Sequence, residues 1–256
     1  MVLPRTQAPA PAAFRAEGLV KRFGTRRALD GVGMDVARGA AVGLVGANGA
    51  GKTTFIKCAL DLCAADAGRV EIFGLDSRLA EARAQLAFVP ERFVPPHYLL
   101  GREFLAMTLE LAGETYDSGR AETLAAELEL DLDALERPVR QLSKGTVQKL
   151  GLAGCFLLER DLYVLDEPMS GLDPAGRVAV KAVLARLNRR GSALLFTSHV
   201  LADVGELCST IAVLDRGLLR FHGSPEQLRR MHGEDSLERA FLKCIRTNAD
   251  SAAIDA

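Results

Sequence analysis

The 256-residue chain has no tryptophan, only three tyrosines and almost no net charge: 32 Lys and Arg stand against 33 Asp and Glu, a formal balance of −1. Without a field of one sign, nothing in the composition steers it to nucleic acid, and no nucleic-acid partner is expected. Long apolar runs are missing too. The longest stretch free of charged residues, 39–51, is too short and too glycine-rich to cross a bilayer, so no segment is expected to span a membrane unaided. The five cysteines, Cys58, Cys63, Cys155, Cys208 and Cys244, are odd in number and form no Cys-x-x-Cys pair. That argues against a disulfide framework or a zinc site and for a reducing compartment. What is present is ordinary for a globular protein: 48% apolar and 25% charged residues suffice for one large core and exclude disorder as the dominant state. Arginine outnumbers lysine 25 to 7, which reads as a compositional bias of the surface.

Residues 1–13, rich in proline and small side chains, lack the apolar centre of a secretory signal and read as a disordered leader. Over 14–36 apolar and polar residues alternate through Leu19, Phe23, Leu29 and Met34, predicting short antiparallel strands. The apolar run 40–45 predicts a buried strand, and a helical pattern follows Lys52 through Phe55, Ile56, Ala59 and Leu60. Further strands are expected at 70–73 and 86–89. Three helices at 102–112, 120–130 and 143–158 then form an insert, about 92–158, before strands return at 162–165, 193–197 and 211–214. Strands alternating with helices predict a mainly parallel α/β sheet beside the N-terminal antiparallel part. Ser224-Pro225-Glu226-Gln227 marks a helix start and Ser236 another, and the last dozen residues, from 243, read as a frayed tail.

Two motifs carry chemistry. Gly46-Ala47-Asn48-Gly49-Ala50-Gly51-Lys52-Thr53 fits G-x-x-x-x-G-K-[ST] between a strand and a helix, the context that motif needs. Its glycines let backbone N–H groups turn towards phosphate oxygens, the helix start adds its positive end, and Lys52 reaches the terminal phosphates. Thr53 would place its hydroxyl on Mg²⁺, and Thr54 completes the candidate nucleotide contacts. Downstream, the apolar strand ending in Asp166-Glu167-Pro168 delivers two carboxylates where ligands of open parallel sheets bind. Asp166 is expected to hold Mg²⁺, and Glu167 to orient or activate water as the base.

A third element, Leu142-Ser143-Lys144-Gly145-Thr146, lies in the helical insert upstream of Asp166. With it, residues 14–242 resemble the nucleotide-binding subunit of an ATP-binding cassette (ABC) transporter, a P-loop NTPase core with an inserted helical subdomain. The family signature begins Leu-Ser-Gly-Gly-Gln; here Ser143 and Gly145 stand while Lys144 and Thr146 depart. The resemblance implies that Ser143 and Gly145 contact phosphate, that Asp173 in Ser170-Gly-Leu-Asp173-Pro174 belongs to the loop after the carboxylates, and that His199 acts as the switch histidine. It places Phe23 against adenine. Glu91, in Phe88-Val-Pro-Glu91, stands where the family commonly has a glutamine touching Mg²⁺ and water; a carboxylate ligates Mg²⁺ as well.

The resemblance further implies a cytoplasmic ATPase that binds ATP and Mg²⁺ at the face of the cell membrane. It would dimerise with a second copy or a homologue, each ATP lying between one phosphate loop and the other chain's Ser143–Gly145 segment, and drive separate transmembrane permease subunits. The short C-terminal part resembles the exporter branch. The alternative is a soluble ABC-type ATPase acting on ribosomes or DNA, but the interval from Lys52 to Asp166 is too short for the long coiled coil of the DNA-repair type. The chain also carries one cassette where ribosomal members carry two. A sensor that binds without turnover is disfavoured by the presence of both Glu167 and His199.

Overall fold

An alternating pair of strands and then a wholly apolar one begin two layers of sheet. The computed structural model describes residues 11–252, and side chains as far as residue 246. β1 (Phe14–Phe23) and β2 (Arg26–Val36) pair antiparallel, burying Phe14, Ala16 and Leu19 with Leu29, Val32, Met34 and Val36 on one face. β3 (Ala41–Val45) follows, then α1 (Lys52–Ala59), β4 (Ala67–Ile72), β5 (Leu75–Asp76), α2 (Ala80–Arg83) and β6 (Leu86–Val89). The insert supplies α3 (Gly101–Leu111), α4 (Ser118–Glu127) and α5 (Lys144–Leu157). The chain then runs through β7 (Leu162–Leu165), α6 (Pro174–Arg189), β8 (Ala193–Ser198), α7 (Leu201–Leu207), β9 (Thr210–Asp215) and β10 (Leu218–Gly223), ending in α8 (Pro225–His232) and α9 (Leu237–Ala252).

One sheet is antiparallel in the order β2-β1-β4-β5; the other runs β10-β9-β3-β8-β7-β6, parallel except for β10. Every residue of β3, β7 and β8 is buried, as strands covered on both faces require. Period-2 geometry sorts their side chains. Val42, Leu44, Val164 and Leu195 join Phe55, Ile56 and the buried face of β1–β2 in one core, while Ala41, Val45, Leu165 and Phe196 join the second, which contains the helical insert. Phe104, Leu105, Leu124, Leu150 and Ala153 share that second core with Val89 of β6, so the insert and the sheet edge are packed as one body.

The architecture is the expected one: an antiparallel part, a mainly parallel sheet and an inserted helical subdomain. Its edges differ. The leader was expected to run to residue 13; residues 1–10 lie outside the described residues, but Ala13 is fully buried and its carbonyl accepts the Phe73 N–H at 3.1 Å. The tail expected from 243 is instead helical as far as Ala252, with residues 253–256 outside the described ones. Leu237, Ala240 and Cys244 are buried at helical spacing, a stripe disguised by its small side chains. Three elements had no counterpart in the sequence reading: β5, α2 and β10, the first two too short to show a period. The cysteines form no disulfide among the described residues, and burial pushes the Cys58 thiol up to about 11 and those of Cys155 and Cys208 higher still.

Candidate active site

The phosphate loop hangs from the end of β3 and turns into α1 at Gly51, whose φ of 114° only glycine takes readily. It is also tightly enclosed. A Cβ on Gly46 would sit 2.3 Å from the Leu214 carbonyl oxygen, and one on Gly51 2.7 Å from that of Ala28. The β9–β10 turn latches the loop to β2, since Gly217 N–H donates to Ala50 O at 2.9 Å and Gly217 O accepts from Asp30 N–H at 2.8 Å. Lys52 is buried, and its ammonium donates to Gly46 O at 2.8 Å and Ala47 O at 3.4 Å. It stands 3.9 Å from Glu167 Oε1.

The two carboxylates come from the end of β7, beside β8. The parallel register sets Leu165 against Phe196, so Asp166 meets Thr197. Thr197 Oγ1 donates to Asp166 Oδ1 at 2.6 Å and accepts the Glu167 N–H at 2.7 Å, one hydroxyl serving both acids. Asp166 N–H in turn donates to Val89 O at 2.9 Å, tying the site to the strand that leads into Glu91. Glu167 sits at φ 52°, a left-handed conformation that costs a non-glycine residue about 1–2 kcal/mol. That turn aims its carboxylate at His199, whose Nδ1 lies 2.8 Å from Glu167 Oε2. Behind His199, the buried carboxylate of Asp203 in α7 pairs with Arg177 and Lys181 of α6, which fixes the segment carrying the imidazole.

A cavity of about 560 Å³ collects Phe23, Asn48, Gly49, Gly51, Lys52, Thr53, Thr54, Glu91 and Glu167 on one wall-to-wall surface. The structure therefore brings together residues that the sequence places far apart. Phe23 is 53% exposed, so its ring is not a core ring, and Lys21 Nζ stands 5.4 Å from its centroid. Ser143, Gly145 and Asp173 do not line this cavity. Ser143 Oγ accepts the Thr146 N–H at 3.1 Å and Asp173 Oδ1 the Gly176 N–H at 3.1 Å, so each caps its own helix. Gly145 backs onto the Gly171 carbonyl, which keeps the two caps side by side.

Two contributors escaped the sequence reading. Arg26 lines the cavity and its guanidinium donates to Gly49 O at 3.0 Å; an arginine in a hairpin gives no sequence signal. Thr197 closes the strand predicted at 193–197, and a threonine ending the strand beside Asp166 is a visible clue. Replacing Thr197 with valine leaves a buried carboxylate oxygen and a backbone N–H without their partner, a loss of about 1–3 kcal/mol for each such group. Thr197→Val is expected to lower the urea midpoint and turnover together, with Thr197→Ser retaining both; equal midpoints for the two variants would show the bridge to be idle.

The donor set suits a hard divalent cation. Thr53, Asp166 and Glu91 offer a hydroxyl and two carboxylates, all oxygen, as Mg²⁺ prefers. Asp166 is 1% exposed and has no cationic side chain as partner among the described residues, a burial that calls for a metal charge nearby.

A model of the family described as ABC transporter matches residues 29–170, from β2 through the phosphate loop and the insert to the turn after Glu167. The chain belongs to the ABC transporter family. As an ABC ATPase it binds ATP with Mg²⁺ and hydrolyses it. The cassette is 36% identical over 236 residues to the daunorubicin resistance ATP-binding protein DrrA3 of Streptomyces coeruleorubidus, covering 90% of this chain and 73% of that one. It is 34% identical over 226 residues to the Nod factor export ATP-binding protein I of Burkholderia orbicola, covering 86% and 72%. Among solved structures, an ATP binding subunit of an ABC transporter superposes with a TM-score of 0.80 at 29% identity, covering 91% of this chain and 99% of the other. A bacterial ABC transporter cassette solved as a dimer gives 0.76 at 21% identity over 82% and 98%, which bears on the fold alone.

Proposed function

We propose that this ABC cassette powers export, by ATP-driven closure of a dimer coupled to separate transmembrane subunits. The observation that carries the catalytic part is the Glu167–His199 contact at 2.8 Å beside a cavity floored by the phosphate loop. In this reading the loop amides, the α1 terminus and Lys52 hold the phosphates, and Phe23 takes the adenine face. Glu167 accepts a proton from the attacking water, and His199 orients the Glu167 carboxylate and stands by the terminal phosphate. Thr53, Asp166 and Glu91 hold Mg²⁺, which when bound neutralises charge on the phosphate oxygens. Ser143 and Gly145, outside their own chain's cavity, serve the nucleotide of the other protomer, with Asp173 lying at the same junction.

Export is supported by the relatives whose names speak of daunorubicin resistance and Nod factor export. A membrane partner is required by this reading, since no helix among the described residues is long and apolar enough to cross a membrane. Purification in mild detergent from native membranes is expected to bring down an integral membrane protein with the chain, and ATP to drive cargo out of cells through that pair. Recovery with ribosomes or DNA in place of a membrane protein would overturn the reading.

Glu91 makes its own prediction. With a carboxylate on the metal, Glu91→Gln is expected to raise the Mg²⁺ concentration for half-maximal ATPase activity, read from a Mg²⁺ titration at saturating ATP. An unchanged midpoint would take Glu91 off the metal.

A further inference from the structure

Two positions depart from the family pattern in charge, Glu91 for an amide and Lys144 for a glycine, and both line a second cavity of about 630 Å³ between the core and the insert. Glu91 lines the nucleotide cavity as well, so it stands on the wall between the two. On the insert side its surroundings are cationic: Arg92, His97, Arg140 and Lys144 line that cavity, and Glu91 is its one acidic lining residue. Neither Glu91 nor Lys144 has an ion pair among the described residues.

Lys144 is placed against the turn that follows Glu167. Its side chain runs along Gly171, with Cε 3.5 Å from where a Cβ on that glycine would sit. The preceding residue, Ser170, lines the same cavity and donates its N–H to Glu167 O at 3.0 Å. The ammonium is thus delivered to the end of the cavity that abuts the turn carrying the base.

We propose that Lys144 is a positioning residue for Glu91: it attracts the carboxylate to the insert side and so competes with the divalent metal for it. The proposal rests on Glu91 being a metal ligand. Glu91 then has two stations, one on the metal beside Thr53 and one facing Lys144. A glutamine, being neutral, would feel no such competition. Both side chains are exposed, so the competition is modest, about two- to fivefold in metal affinity, and it weakens as salt rises.

The test uses the full chain carrying Glu167→Gln to silence hydrolysis, loaded with ATP and titrated with Mn²⁺ while free Mn²⁺ is followed by electron paramagnetic resonance. Adding Lys144→Ala is expected to tighten Mn²⁺ binding about two- to fivefold, Lys144→Arg to leave it near the parent value, and 0.5 M NaCl to shrink the difference. With Glu91→Gln also present, Lys144→Ala is expected to change nothing. Equal tightening with and without Glu91 would assign Lys144 a general repulsion of the metal and overturn the pairing, as would no tightening at all. If Glu91→Gln alone leaves Mn²⁺ binding unchanged, the metal reading of Glu91 has failed, and the proposal falls with it for that separate reason.

Discussion

Glu167→Gln is expected to cut ATP turnover by about two orders of magnitude or more, the contribution of a positioned general base, while ATP binding persists. The substitution keeps the shape of the side chain and its reach to His199, now 2.8 Å from the carboxylate, and removes only the capacity to accept a proton. The Thr197 hydroxyl binds the backbone N–H of residue 167, not its side chain, so the left-handed turn that aims the group survives the change. With binding intact and hydrolysis blocked, the ATP-bound dimer should accumulate. Steady-state phosphate release measures the first effect, and size-exclusion chromatography with Mg²⁺ and ATP the second. Retention of more than a tenth of the turnover would remove Glu167 as the base, and an exclusively monomeric profile in the presence of the membrane partner would contradict the assignment of Ser143 and Gly145 to the other protomer's nucleotide.

Lys52→Ala should produce the second large effect, on binding. The residue is buried, its ammonium is satisfied by the carbonyls of Gly46 and Ala47, and it lines the cavity with the loop residues Asn48, Gly49 and Gly51. Charge-assisted contacts of this kind are worth about 1.5–3 kcal/mol each, so ATP affinity is expected to fall about tenfold or more. Removing Lys52 also strips Glu167 of the cation 3.9 Å away, so turnover should fall further than occupancy accounts for. Calorimetry of Mg-ATP binding separates the two. Unchanged affinity would refute the placement of phosphate on this loop.

What the sequence determined was whatever is local. The apolar run of β3, the glycines of 46–51 and the start of α1 are contiguous, and the steric demands at Gly46 and Gly51 are met by residue type alone, so the strand–loop–helix unit of the candidate phosphate site was legible before any fold was known. The same holds for the cap at Ser224, which binds the amide of Gln227 three residues on. Weak local signals misled at the edges. The small residues Ala240 and Cys244 hid the buried stripe of α9, and the short β5 and α2 have no period to read.

Only the tertiary structure decided the rest, because it depends on which strands become neighbours. The register of β7 against β8 alone puts the Thr197 hydroxyl on Asp166 and on the amide of Glu167, and the turn at φ 52° alone points Glu167 at His199. Phe23 and Arg26 reach the phosphate loop because β2 is latched to it through the Gly217 turn, a contact between segments nearly two hundred residues apart. Glu91 faces two cavities because β6 ends beside β7 at the root of the insert. A sequence specifies side chains and short-range turns; the meeting of distant side chains is set by sheet order and core packing, and that is where this site was assembled.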